Sequence, residues 1–319
     1  MVKKAAIFGL ILLATTSCHT DLFFGKVEGV AAQVYAPNGR TPVYDGRVVI
    51  EELEAHGYVG ETMTGPDGGF VFPTVPDASY RVTITSANEV FETIYHIEVE
   101  DGYSAGEVEV LMSPVREGTF VNVPGRYDDM SVIFADLGYR YRTVELAELA
   151  VSSGTIEGAD VVFLNSGVDT VWAENPDVTA KLRAFVEAGG RLMVSDRAWP
   201  FIRAIWPNRV TWPADPEIGG LYQDITADVA PGGLRTCVTV PTWELRYAQG
   251  NWALPSGTTG TTFISGDVET SAGSRADAPL LLGFAAGDGF VYFSTFNWRT
   301  QYKEGRVAVR TFNYLIANR

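Results

Sequence analysis

Histidine is scarce in this chain: there are three in 319 residues, His19, His56 and His96, and none after them. Everything beyond residue 96 therefore lacks the imidazole from which a Cys-His or Ser-His pair is built. Cysteine is nearly absent as well, with only Cys18 and Cys237. Basic residues are few: 24 Lys and Arg face 39 Asp and Glu, a net charge of −15. Such a surface repels phosphate backbones and excludes DNA and RNA as partners; it also favours solubility. One apolar run stands at the start, Ala5 to Ala14. It is too short for a transmembrane helix, which needs about 20 apolar residues.

What is present at the start is an ordered set of signals. Lys3 and Lys4 precede the apolar run, and Ala14, Thr15, Thr16 and Ser17 lead into Cys18. That is a secretory layout. The segment resembles the lipobox of bacterial lipoproteins, with Thr15 in place of the usual leucine. The resemblance implies a signal peptide over 1–17, cleavage before Cys18, lipid on Cys18 and a lipidated tether over 18–25. His19 after the cysteine, where inner-membrane retention would call for Asp, implies the outer membrane, with periplasmic and surface faces both open. With Cys18 acylated, Cys237 is left unpaired and is expected to be a buried small hydrophobe.

Residues 26–113 read as a β domain. Lys26–Tyr35, Gly46–Glu52, Gly69–Phe72, Tyr80–Thr85, Thr93–Glu100 and Gly106–Met112 alternate in polarity between turn residues, the mark of half-buried strands. Gly65-Pro66-Asp67-Gly68-Gly69 supplies a hairpin turn. Gly29-Val30, Thr41-Pro42-Val43, Val48-Val49-Ile50, Thr64 to Phe72 and Val75 to Val82 together resemble a carboxypeptidase regulatory-like domain, a transthyretin-like β-sandwich. That resemblance implies a non-catalytic accessory module. His56 and His96 have no carboxylates at metal-site spacing, and Asp67 lacks the repeated oxygen ligands of a calcium loop, so no metal is expected.

Residues 114–319 change to an α/β pattern. Asp160–Asn165 is an apolar run suited to a parallel strand buried on both faces. Asn175 caps and Pro176 opens a helix with Val178, Leu182, Phe185 and Val186 on one side, and Gly189-Gly190 ends it. Arg191–Ser195 follows as a strand, completing a β-α-β unit. An earlier unit is read from amphipathic Asp128–Leu137 and Tyr141–Leu146. The chain closes with a strand over Gly289–Thr295 and a helix carrying Val309, Phe312, Leu315 and Ile316. Gly158 to Leu164, Leu182 to Leu192 and Gly287 to Asn297 resemble the class I glutamine amidotransferase-like fold, particularly its trehalose-utilisation-like members. The expected fold is thus multidomain: an all-β sandwich, then a doubly wound, flavodoxin-like α/β domain. Residues 207–278 match no pattern.

Active members of that family use a cysteine on a strand-to-helix elbow, activated by histidine. Here Cys237 lies in Leu234–Val240, which reads as a strand without elbow glycines, and Asn297 stands where relatives carry a histidine after the last strand. The resemblance therefore implies a domain without the catalytic residues. A ligand crevice in such a sheet lies at the strands' C-terminal ends, which present Asn165, Ser166, Asp169, Asp196, Arg197, Asn297, Trp298 and Arg299. Trp199, Trp206, Trp212, Trp243, Trp252 and Trp298 are read as packing residues. The expected function is a membrane-anchored envelope lipoprotein that binds or scaffolds a protein or glycan partner without a cofactor. The alternative is a carbohydrate-active hydrolase or isomerase pairing Asp196 with Asp169 or another acid.

Overall fold

The computed structural model describes residues 26–36, 42–53, 57–86, 91–105, 108–114, 120–137, 139–152, 154–214 and 219–317. The signal segment 1–17, the tether 18–25 with Cys18 and His19, and His56 lie outside them.

The first strands are β1 (Lys26–Glu28), β2 (Val30–Tyr35), β3 (Arg47–Glu52), β4 (Val59–Met63), β5 (Gly69–Phe72), β6 (Ala78–Thr85), β7 (Phe91–Glu100), β8 (Tyr103–Ala105), β9 (Val108–Leu111) and β10 (Ser113–Pro114). They form two sheets, β1-β8-β7-β6-β3-β4 with β10 beside β7, and β5-β2-β9. Alternation places Val48 and Ile50 of β3, Tyr80, Val82 and Ile84 of β6, and Val30, Ala32 and Val34 of β2 in the core between them. The turn before β5 is held by Asp67, whose carboxylate accepts from Gly69 N at 3.0 Å. His96 is exposed on β7 opposite Arg81. Strand β4, which the sequence pattern did not disclose, is an edge with no apolar alternation.

The second part contains β11 (Phe120–Val123), α1 (Ser131–Asp136), β12 (Tyr141–Thr143), α2 (Leu146–Val151), β13 (Val161–Leu164), α3 (Pro176–Glu187), β14 (Arg191–Ser195), α4 (Trp199–Ile205), β15 (Val210–Thr211), β16 (Gln223–Val229), α5 (Gly233–Val238), β17 (Thr242–Tyr247), β18 (Gly257–Thr258), β19 (Thr261–Thr270), β20 (Gly273–Ala286), β21 (Gly289–Ser294), α6 (Trp298–Glu304) and α7 (Arg306–Ala317). Its sheet runs β12-β11-β13-β14-β21-β20-β19-β16-β17. The first five strands are parallel and the last four antiparallel. The fold class is therefore a β-sandwich followed by an α/β domain, as expected, and residues 207–278 supply most of the antiparallel extension. Asn175 caps α3 as anticipated, accepting from Asp177 N and Val178 N.

Two readings need correction. Cys237 is buried, but in helix α5 and not in a strand; the segment packs on α7, with Cys237 Sγ 3.6 Å from Arg310 O. Leu146 opens helix α2 and does not extend β12.

Period-two alternation along the parallel strands sends side chains to opposite faces. Val162, Leu164, Leu192, Val194, Val291 and Phe293 meet α2, α3 and α4 on one face. Phe120, Phe163, Met193 and Tyr292 meet α1 and α7 on the other, in a core continuous with the sandwich. The bridge is aromatic: Phe91 of β7 stacks 5.1 Å from Tyr139 and 6.1 Å from Phe120, and Phe134, Phe163 and Phe312 extend the cluster. The far edge, β17, is closed by a side chain, because the buried Gln301 accepts from Arg246 N at 3.1 Å and donates to Arg246 O at 2.8 Å. This blocks strand addition there.

Because the two parts share one core, urea is expected to unfold the chain in a single transition. Phe91→Ala should cost about 3–5 kcal/mol and separate the transition into two. Two transitions in the unaltered protein, or an unchanged midpoint in the variant, would contradict the shared core.

Candidate functional site

The C-terminal ends of β11, β13, β14 and β21 converge, as parallel strands must, and their following loops carry polar side chains. The segment 125–128 after β11 lies directly on 165–167 after β13: Tyr127 N and Asp128 N donate to Ser166 O at 2.9 and 3.2 Å, and Arg126 N donates to Gly167 O at 3.2 Å. The approach requires glycine on both sides. A Cβ on Gly125 would stand 2.2 Å from Ser166 O, and one on Gly167, whose φ is +86°, would stand 2.6 Å from the Tyr127 ring.

Two buried carboxylates stitch these loops together. Asp128, 2% exposed, accepts from Trp298 N at 2.8 Å through Oδ2, and from Arg299 N and Asp129 N at 3.1 Å through Oδ1. It thus caps α6 from a residue 170 positions away. The Ser195 hydroxyl donates to its Oδ2 at 3.4 Å and accepts from Ser166 N at 2.8 Å. Asp196, 3% exposed, accepts from Ala253 N at 2.7 Å and from the Ser166 hydroxyl at 3.1 Å. It sits at the turn from β14 into the short helix Asp196–Ala198 with φ +42°, a conformation uncommon for a residue with a side chain.

The remaining expected residues divide by depth. Asn165 is buried: its amide nitrogen donates to Asn122 Oδ1 and Val123 O at 2.7 Å, and its oxygen accepts from Met130 N. Trp298 is buried against Phe296 and Phe312. Asp169 is exposed and caps the short helix Thr170–Glu174, accepting from Val171 N at 3.1 Å. Arg197 and Asn297 are half-buried at the rim, and Arg299 is exposed. The sequence reading missed Asp128, Ser195 and Tyr127. Asp128 fell inside the stretch read as a helix, although Gly125 between a strand and a helix marks a loop.

Burial pushes the Asp128 carboxyl up to about 6, against the four hydrogen bonds that pull it down. Burial likewise raises Tyr247, whose hydroxyl lies 2.5 Å from Thr295 Oγ1. Chemically, the nearest hydroxyls to these acids are those of Ser166 and Ser195, both buried and already donating to carboxylates. Neither hydroxyl is open to solvent in this conformation. Among the described residues, no cluster of His, Cys, Asp and Glu is placed to hold a metal.

Residues 37–142, about a third of the chain, match the β-sandwich domain of ER membrane protein complex subunit 7. No curated protein matches the chain. Among solved structures, a chain of PurLQS from Thermotoga maritima is similar at 9% identity and TM-score 0.48, covering 63% of this chain and 98% of its own. A ThuA-like protein from Bacteroides uniformis is similar at 10% identity and TM-score 0.42, covering 58% and 80%. A cytoplasmic protein from Salmonella typhimurium gives 9% and 0.41, covering 63% and 98%. The fold described above rests on the strand order and not on these likenesses.

The Asp128 carboxyl gives the site a pH signature. Its folded value near 6 lies above the unfolded value near 3.9, so between those pH values the folded protein holds a proton that the unfolded chain has lost. This group therefore lowers stability as pH rises from about 4 to about 6, by on the order of 3 kcal/mol. Asp128→Asn should remove that part of the slope, read from urea unfolding at about pH 4.5 and about pH 7. An identical slope in variant and parent would contradict the assignment.

Proposed function

We propose that the chain is a lipid-anchored protein of the bacterial envelope that binds or scaffolds a protein or glycan partner and performs no catalysis. The observation that carries the non-catalytic reading is the state of the sheet edge: Asp128, Asp196, Ser166 and Ser195 are buried and hydrogen-bonded to the protein itself. The absence of histidine beyond His96 removes the usual base. In this reading the sandwich is a carboxypeptidase regulatory-like accessory module. The second part is an amidotransferase-like domain that has lost its catalytic residues. The anchor is lipid on Cys18 after removal of residues 1–17, retained at the outer membrane. No described helix is long and apolar enough to cross a membrane, and acyl chains supply firm retention when several are attached.

One observation favours a second reading. Asp196, held at positive φ where a strand turns into a helix, has the strained backbone that active sites often store, which suits a carbohydrate-active hydrolase or isomerase.

Cys18→Ala is expected to abolish acyl labelling and move the protein from the membrane pellet to the soluble fraction. Continued pelleting without label would overturn the anchor. Screens of the purified protein against glycosides and esters should give no turnover. Turnover that Asp196→Asn removes would replace the non-catalytic reading with the second.

A further inference from the structure

Above the buried carboxylates, an outer layer of side chains is incompletely paired. Arg197 Nε, Gln249 Oε1 and Asn297 Oδ1 are buried and have no hydrogen-bond partner, an unfavourable state for polar atoms. The three residues are themselves only half-buried, so they stand at the rim of the closed edge. Asn297 and Arg197 are linked through Tyr127, and Gln249 by its chain neighbour Gly250, which Arg197 contacts. Asn297 Nδ2 donates to Tyr127 O at 3.4 Å, which leaves the amide oxygen as the orphaned atom. The Arg197 guanidinium lies 4.6 Å from the Tyr127 ring centre and donates through Nη2 to Gly250 O at 3.1 Å. Gln249 immediately precedes Gly250. Beside Gly250 stands Tyr222: a Cβ built on that glycine would be 3.4 Å from its ring. Tyr222 is 73% exposed, whereas Trp199, Trp206, Trp243, Trp252 and Trp298 are buried. Gly250 packs beside one side of the ring, and the remainder of Tyr222 is open to solvent.

We propose that this rim is a saccharide-binding site, with Tyr222 as the platform for the C–H face of a sugar ring and Arg197, Gln249 and Asn297 as its hydroxyl contacts. The proposal rests on the reading of the chain as a binding protein and narrows the ligand to glycans. Two of the orphaned atoms accept and one donates, and a hydroxyl does both. A phosphate is an anion that chiefly accepts, and would meet two amide oxygens on a protein of net charge −15. An apolar ligand would leave the three atoms as they are. Binding turns the rim side chains outward and gives each orphaned atom the partner it lacks, while the Asp128 and Asp196 layer beneath stays closed.

The test uses the full chain in detergent with maltotriose, cellotriose and chitotriose as probes, and tetra-alanine and inorganic phosphate as comparisons, read by calorimetry and saturation-transfer NMR. At least one trisaccharide is expected to bind. Tyr222→Ala and Gln249→Leu should each weaken it by about tenfold or more, with circular dichroism and melting unchanged, and Tyr222→Phe should bind like the parent. No trisaccharide binding by the folded protein, or equal affinity in Tyr222→Ala and Gln249→Leu, overturns the site. Binding of tetra-alanine or phosphate alone, with the same sensitivity to the variants, overturns the saccharide assignment but leaves the protein a binder. Cleavage of a bound trisaccharide whose affinity falls in both variants supports the site and overturns the non-catalytic reading instead.

Discussion

The contact between the loops after β11 and β13 governs the whole C-terminal edge of the sheet. Because neither Gly125 nor Gly167 carries a side chain, the 125–128 backbone settles directly on Ser166 and Gly167. That position delivers Asp128 across the ends of the strands to the first amides of α6. The carboxylate replaces a cap that α6 lacks locally, since Asn297 makes no side-chain cap bond. The contact lies at the edge where an open α/β sheet ordinarily receives its ligand, and Asn165, Ser166, Ser195 and Asp196 are buried there. The capping of α6 and the burial of this edge thus draw on the same loop, and the buried acids there are hydrogen-bonded to the protein itself.

The other end of the architecture is set by aromatic burial. The face of the parallel sheet formed by Phe120, Phe163, Met193 and Tyr292 is covered by α1 and α7, and at its margin by Phe91 from the sandwich. Tyr139 joins the two parts by stacking on Phe91, and is fixed within the second part by donating its hydroxyl to Asn313 at 2.8 Å. Burial accordingly pushes its pKa up and disfavours its ionisation. The sandwich is therefore built into the side of the α/β domain and does not hang from it as an independent bead, and any partner bound at the opposite edge meets a single body.

What the sequence disclosed was the structure that local chemistry decides. Helix α3 was readable because Asn175, Pro176 and the glycine pair at 189–190 mark both ends, and β14 because five consecutive residues are buried on a two-sided sheet. The turn into β5 was readable from Gly65 to Gly69 for the same reason. Elements decided by distant partners were not. Helix α5 is six residues long, with Thr236 and Val238 favouring extended backbone, and it is a helix through its packing on α7. The pairing of β16 with β19 crosses a sequence separation that no local pattern announces, whereas β19 and β20 form a hairpin through Ser271-Ala272 that the sequence reading passed over. At the site, the residues at strand ends could be listed from the sequence, but their depth could not: Asp128 became central only because it meets residues 298 and 299. The half-buried Arg197, Gln249 and Asn297 were distinguishable from their buried neighbours only once the rim was in view.

Whether the edge is a closed structural device is most directly read from amide hydrogen exchange at Trp298 and Arg299 near neutral pH. Both amides end on the buried Asp128 carboxylate, so the account predicts exchange slowed to the rate of global unfolding, and fast exchange at these two positions together in Asp128→Ala. Rapid exchange of both amides in the unaltered, folded protein would contradict it, because the edge would then be an open crevice.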